Sequence, residues 1–129
     1  MNRVTKEIAI ALKEIGYDVP CDAYYFEGGN DTPNIHPKKV DYNKATSVMS
    51  EILGDLISAP TVYEAIEWLD SKGVYVCVEI AVDGWRAVVF ENQGVDLDVI
   101  DILGALPTRL AAYTSGLPIA INHIKNKKV

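Results

Sequence analysis

Four groups of residues in this chain have the types that chemistry uses. In the stretch GYDVPCDAYYF, residues 16–26, Cys21 stands between Pro20 and Asp22, with Tyr24 and Tyr25 just behind. A thiol becomes a nucleophile when a cation, a base or a helix amino terminus lowers its pKa. An adjacent carboxylate does the reverse, so Cys21 reads as a structural residue that opens a strand. Cys77, between Val76 and Val78, reads as a packed thiol. There is no CxxC pair, and His36 and His123 lie far from both cysteines in sequence, so no zinc-site spacing is present. Either histidine needs a partner within hydrogen-bond reach to do acid–base work, and the sequence identifies none. Asp96, Asp98 and Asp101 are the densest carboxylates, but they lack the spacing, glycine and final glutamate of a calcium loop. FEGGND is glycine-rich without a GxGxxG pattern or a GK[ST] ending, which makes it a turn rather than a phosphate cradle. These patterns assign no catalytic, cofactor-binding or metal-binding residue.

The elements that hold these residues follow from periodicity. Val4, Ile8, Leu12 and Ile15 recur at helical spacing, so 5–15 is a helix with Thr5 as its cap and Gly16 at its end. Pro20 forbids its continuation, and 23–26 reads as a short tyrosine-rich strand. Residues 27–43 have no apolar period and several turn formers, which predicts a long loop. Ala45, Val48, Met49, Ile52, Leu53 and Leu56 form an amphipathic helical stripe ending near Gly54, with an extended segment before Pro60. Thr61 and Glu64 are spaced as a capping box, and Val62, Ala65, Ile66 and Leu69 give the next helix its buried side, up to Gly73.

Residues 74–82 alternate strictly, and Asp83–Gly84 suits a two-residue turn, so 74–91 is a β-hairpin. That turn sets Val82 opposite Trp85, Ile80 opposite Ala87 and Val78 opposite Val89, with Glu79 and Arg86 as diagonal neighbours. The stretch 95–106 reads as a helix with Asp98 and Asp101 in its first turn, although VDLDV also permits a strand start. Beyond Pro107, Leu110, Tyr113, Leu117, Ile121 and Ile124 keep helical phase across Pro118, which favours one helix over two broken at Gly116. The fold class is α+β: a small antiparallel sheet, made of the 74–91 hairpin and the strand near 23–26, packed against three to five helices in a single domain of 1–129.

Composition narrows the function classes. Nearly half the residues are apolar, enough for a core. No run is long enough to span a membrane, and the charged start MNRVTKEIAIALKEIGYD does not resemble a secretory signal. The expected compartment is therefore cytoplasmic. Net charge is −6, with twelve acidic side chains against three basic ones between residues 41 and 101. That acidic middle argues against nucleic-acid binding, and the basic end HIKNKKV is too short to reverse it.

LKEIGYDVPCDAYYF, followed by SAPTVYEAIEWL and VYVCVEI, resembles a group of short uncharacterised proteins encoded by phages, prophages and mobile elements of Bacteroides-type bacteria. The resemblance covers 5–26 and 57–90, is loose in the loop, and implies origin and a similar fold but no activity, cofactor or site residue. The expected function is a non-enzymatic module that binds another protein or itself as a homodimer. Its candidate surface is Tyr24, Tyr25, Trp68, Tyr75 and Phe90, residue types that interfaces favour. Two alternatives stand beside it. One is a small enzyme or ligand-binding domain with a pocket near the 27–43 loop, built from Cys21, His36 and Tyr24 or Tyr25. The other is an acidic inhibitor that imitates nucleic acid with a stripe of the 41–101 carboxylates.

Overall fold

Thr5 begins the first helix as its sequence position predicts: its hydroxyl accepts from the Ile8 amide at 3.3 Å, satisfying a donor that helix starts leave open. In the computed structural model, which describes residues 2–94 and 96–127, α1 spans Lys6–Glu14. It closes at Gly16 (φ 93°), where the Tyr17 amide reaches the Leu12 carbonyl and the Gly16 amide reaches that of Lys13. This is the paired C-terminal closure that glycine permits. Val95, from the expected 95–106 element, and Lys128 and Val129, from the basic tail, lie outside the described residues. The chain divides into two compact units, 1–61 and 62–129.

In the first unit, β1 (Cys21–Phe26) pairs antiparallel with β2 (Asn34–Val40) on one side and β3 (Leu56–Ser58) on the other. Cys21, Ala23 and Tyr25 alternate into the core, where α1 contributes Ile8, Ala9 and Leu12. Two expectations are corrected here. The 27–43 segment is not all loop, because β2 lies within it. That strand was invisible to apolar periodicity because it is an exposed edge strand, and Pro37 is tolerated there because it falls where the register with β1 is broken. The long amphipathic helix shrinks to α2 (Ser50–Leu53), leaving Val48, Met49 and Ile52 exposed. Side-chain bonds to backbone compete with the helix there. The Met49 amide donates to Ser47 Oγ, and Asn43 is pinned between the Tyr17 carbonyl and the Ser58 amide.

In the second unit, α3 (Val62–Ser71) starts directly after Thr61, as expected. Then come β4 (Val74–Ala81), β5 (Gly84–Asn92), β6 (Leu97–Leu106) and α4 (Arg109–Lys127). The sheet order is β4-β5-β6, all antiparallel. So α+β holds, but as two three-stranded sheets; the strand near 23–26 does not join the hairpin. β6 corrects the helix expected at 95–106. Its β-branched Val99, Ile100 and Ile102 suit a strand, and pairing with β5 outweighs the carboxylate signal for a helix start. α4 is continuous, with Pro118 inside it.

The hairpin forms in a register two residues from the expected one. Ile80 faces Trp85, Val78 faces Ala87, and the turn residues are Val82 and Asp83. A two-residue slip keeps every side chain on its face, so the apolar pattern cannot distinguish the two registers. Positive φ falls on Gly84 (139°), where an added Cβ would sit 2.7 Å from the Leu106 carbonyl oxygen. Gly84→Ala is expected to destabilise the protein by about 1–2 kcal/mol in urea denaturation. An unchanged midpoint would mean that β5 and β6 do not approach this closely.

Candidate functional site

The β4–β5–β6 sheet has two unlike faces. α4 packs against all three strands, and α3 against β4 and α4. Val74, Val76, Ala87 and Val89 are buried on the helix-covered face. On the other face, cross-strand neighbours are Tyr75 with Phe90, Cys77 with Val88, and Glu79 with Arg86. β6 continues that face, with Val99 opposite Phe90, Ile102 opposite Val88 and Leu97 opposite Asn92. Leu97, Val99 and Ile102 are 58%, 50% and 53% exposed. The result is an apolar strip with Val88 buried at its centre, Tyr75 and Phe90 half-buried beside it, and Cys77 and the β6 side chains exposed, more than the scattered exposed side chains that need no explanation. Its charged members among the described residues are Glu79 and Arg86, and Asp70 of α3 lies near enough to act on Cys77. The register places Glu79 and Arg86 directly opposite rather than diagonal, and Arg86 Nε donates to Glu79 Oε1 at 2.6 Å. Cys77, expected to be packed, is exposed on this face; desolvation of its sulfur, then the charges of Asp70 and Glu79, push the thiol up, which makes it a poor nucleophile.

Of the five residues expected to form an interaction surface, the structure brings together Tyr75 and Phe90. Tyr24 lies in the first unit, half-buried against Tyr42 with ring centroids 4.7 Å apart. Tyr25 is buried and its hydroxyl donates to the Val4 carbonyl at 2.8 Å, so it is a core residue and not a contact residue. Trp68 is also buried, with the Lys72 ammonium 5.1 Å from its ring. Sequence reasoning missed Leu97, Val99 and Ile102. The alternation in VDLDV pointed to Leu97 and Val99; Ile102 reaches the face through the bulge at Ile100, which alternation does not show.

The chemistry-bearing residues separate. Cys21 is buried, its sulfur 3.4 Å from the Val19 carbonyl, while His36 is exposed with Nδ1 accepting from the Lys38 amide. A cleft of about 1070 Å³ does lie beside the 27–43 segment, lined in part by Arg3, Lys6, Tyr25, Glu27 and Asp31. Its cations are engaged. Arg3 donates to Asp22 Oδ1 (2.5 Å) and the Ala59 carbonyl (2.8 Å), and Lys6 donates to the carbonyls of Glu27 and Gly29. The Arg3 hydrogen bond holds the Asp22 carboxyl below its usual range.

The second unit holds a cluster that sequence reasoning did not anticipate. Glu91, buried on the helix-covered face, accepts from Lys127 and from Gln93 Nε2 (2.7 Å) through Oε1, and its Oε2 meets His123 Nε2. The Lys127 hydrogen bond, with the charges of His123 and Lys127, holds the Glu91 carboxyl below its ordinary range despite burial. The cluster ties the end of α4 to β5. Among the described residues no group of three or more His, Cys, Asp or Glu side chains is placed to hold a metal, and no helix is long and apolar enough to cross a membrane.

Comparison with protein-family models, with curated proteins and with solved structures finds no match. The uncovered sheet face and the first-unit cleft are therefore weighed by their own chemistry. The face presents contiguous apolar side chains and one internal ion pair. The cleft presents cations already bonded to protein oxygens.

Proposed function

We propose that this protein is a non-enzymatic interaction module acting through the outward face of β4–β5–β6. One observation carries the reading: Leu97, Val99 and Ile102, each at least half exposed, extend the half-buried Tyr75–Phe90 pair across one sheet face. Exposed strips of this kind mark association sites, and aromatic side chains anchor them. The sequence resemblance supports an accessory protein of a phage or mobile element, working in the cytoplasm of a bacterial host. Two carboxylates of the acidic middle are withdrawn from any free stripe, Glu91 by burial and Glu79 by Arg86, which weighs against a nucleic-acid mimic.

The test is affinity capture from host lysate with the tagged wild-type chain and with Val99→Lys/Ile102→Lys. We expect a protein retained by the wild type and reduced about tenfold or more with the variant, as loss of a central contact implies. The same proteins retained equally by both chains would sink the reading.

The cleft beside 27–43 favours a second reading, a ligand-binding domain. It needs neither Cys21 nor His36. A small-molecule screen read by amide chemical shifts should then move residues around Arg3, Tyr25 and Asp31. Shifts confined to other surfaces would remove it.

A further inference from the structure

We propose that the occupant of this face is a second copy of the chain, the two sheets packing face to face about a two-fold axis. The inference rests on the reading above that the face is an association surface.

Charge selects this occupant. The chain as a whole carries −6, so two copies repel over most of their surface. On the outward face the charged side chains are Glu79 and Arg86, bonded to one another, while Asp98 and Asp101 of β6 pair with Glu91 and Val89 on the other face. The strip is neutral, and an adjacent acid and base complement themselves. An isologous interface must be self-complementary, because each patch meets its own copy.

Sheet geometry supports the same occupant. β6 is an edge strand, but its ladder is interrupted twice. Ile100 is passed over between the Val99 and Asp101 pairings, and Gly104 and Ala105 together oppose one residue of β5, with Ala105 at φ 60°. Bulges and the exposed Asp98 and Asp101 blunt the β6 edge against an added strand, while β4, the other edge of the sheet, keeps an unbroken register. The face carries no such guard. Sheet faces cover one another in aligned layers about 10 Å apart, and a second copy brings a matching sheet. The runs VYVCV in β4 and AVVF in β5 are apolar on both faces, as in strands covered on both sides.

Three strands of about eight residues give a footprint on the order of 400 Å². That is below the ~800 Å² each partner buries in a standard complex and falls in the class of weak, transient contacts, so the association is sought at high concentration. Sedimentation velocity of the full chain from about 1 to about 500 µM covers dissociation constants in the micromolar range, where weak contacts are seen. The wild type is expected to pass from monomer to dimer, and Val99→Lys/Ile102→Lys to stay monomeric. Glu79→Arg makes the face +2 and Arg86→Glu makes it −2, so each variant alone should associate at least tenfold more weakly than the wild type. An equimolar mixture of the two should recover the dimer, which misfolded chains cannot do. A wild type monomeric throughout, a dimer indifferent to these substitutions, or a mixture that fails to recover would overturn the proposal. If the wild type is monomeric yet captures a foreign protein through Val99 and Ile102, self-association fails and the interaction reading stands. If that capture also fails, both fall.

Discussion

Replacing Gly116 with valine is expected to destabilise the second unit by about 3 kcal/mol, because this glycine is where α4 touches the sheet. A Cβ at position 116 would stand 2.5 Å from Val76 Cγ1, closer than real side chains approach. Neither partner has room to yield. Val76 is 4% exposed on the covered face of β4, and Leu117, Ala120 and Ile121 fix α4 against the same surface. In an exposed helix Gly→Ala gains about 1 kcal/mol; here overpacking reverses the sign, and Gly116→Ala should cost about 1 kcal/mol net. Val76→Ala opens the space that the new methyl needs, so the double variant Val76→Ala/Gly116→Ala should be more stable than the two single costs add up to. Both tryptophans, Trp68 and Trp85, lie in this unit, so urea denaturation followed by their fluorescence reports on it. Wild-type stability in Gly116→Val would mean that α4 does not rest on Val76.

What the sequence disclosed about the fold was local grammar. Thr5, Gly16, Pro60 and Thr61 each act within a few residues of themselves, so the ends of α1, the extended β3 and the start of α3 were legible. The hairpin was legible too, because alternation fixes faces. It does not fix register, which is why the Glu79–Arg86 pair was placed diagonally. The elements that escaped are those decided at a distance. β2 is an edge strand whose exposed residues leave no apolar period, and β6 alternates only in VDLDV before its first bulge; both exist because β1 and β5 offer open ladders. The stripe from Ala45 to Leu56 had the right period, yet serine and asparagine side chains hold its first half in turns.

The same division applies to the sites. Tyr75 and Phe90 share a face by parity alone, and the register then made them direct neighbours. Tyr25 and Trp68 were assigned to a surface by residue type, and burial decided otherwise. Glu91 could have been found. It falls at the buried parity of Val89, where a carboxylate needs partners, and His123 and Lys127 are spaced i, i+4 on one face of α4.

That cluster carries the second large effect. His123→Ala/Lys127→Ala is expected to cost about 3 kcal/mol at neutral pH, because it leaves Glu91 ionised and buried with Gln93 as its remaining hydrogen-bond partner among the described residues. Glu91→Leu should cost clearly less. It leaves a lysine side chain that is 59% exposed and readily solvated, and it removes the desolvated charge. The pH dependence separates the cases further. In the wild type the folded pKa of Glu91 is lowered, chiefly by the Lys127 hydrogen bond, so its contribution is present above the unfolded value and lost as pH falls through the folded one. The unfolded value is about 4.3, so this contribution should hold steady from about pH 7 down to about pH 5. Without the two partners, burial dominates and raises the folded pKa above the unfolded one. Protonation then relieves the buried charge, and over the same interval the double variant should recover stability as pH falls. Tryptophan-monitored urea midpoints across that range decide it. A double variant that weakens on acidification, or a Glu91→Leu chain as unstable as the double variant, would show that the carboxylate is solvated and that the end of α4 is held by packing alone.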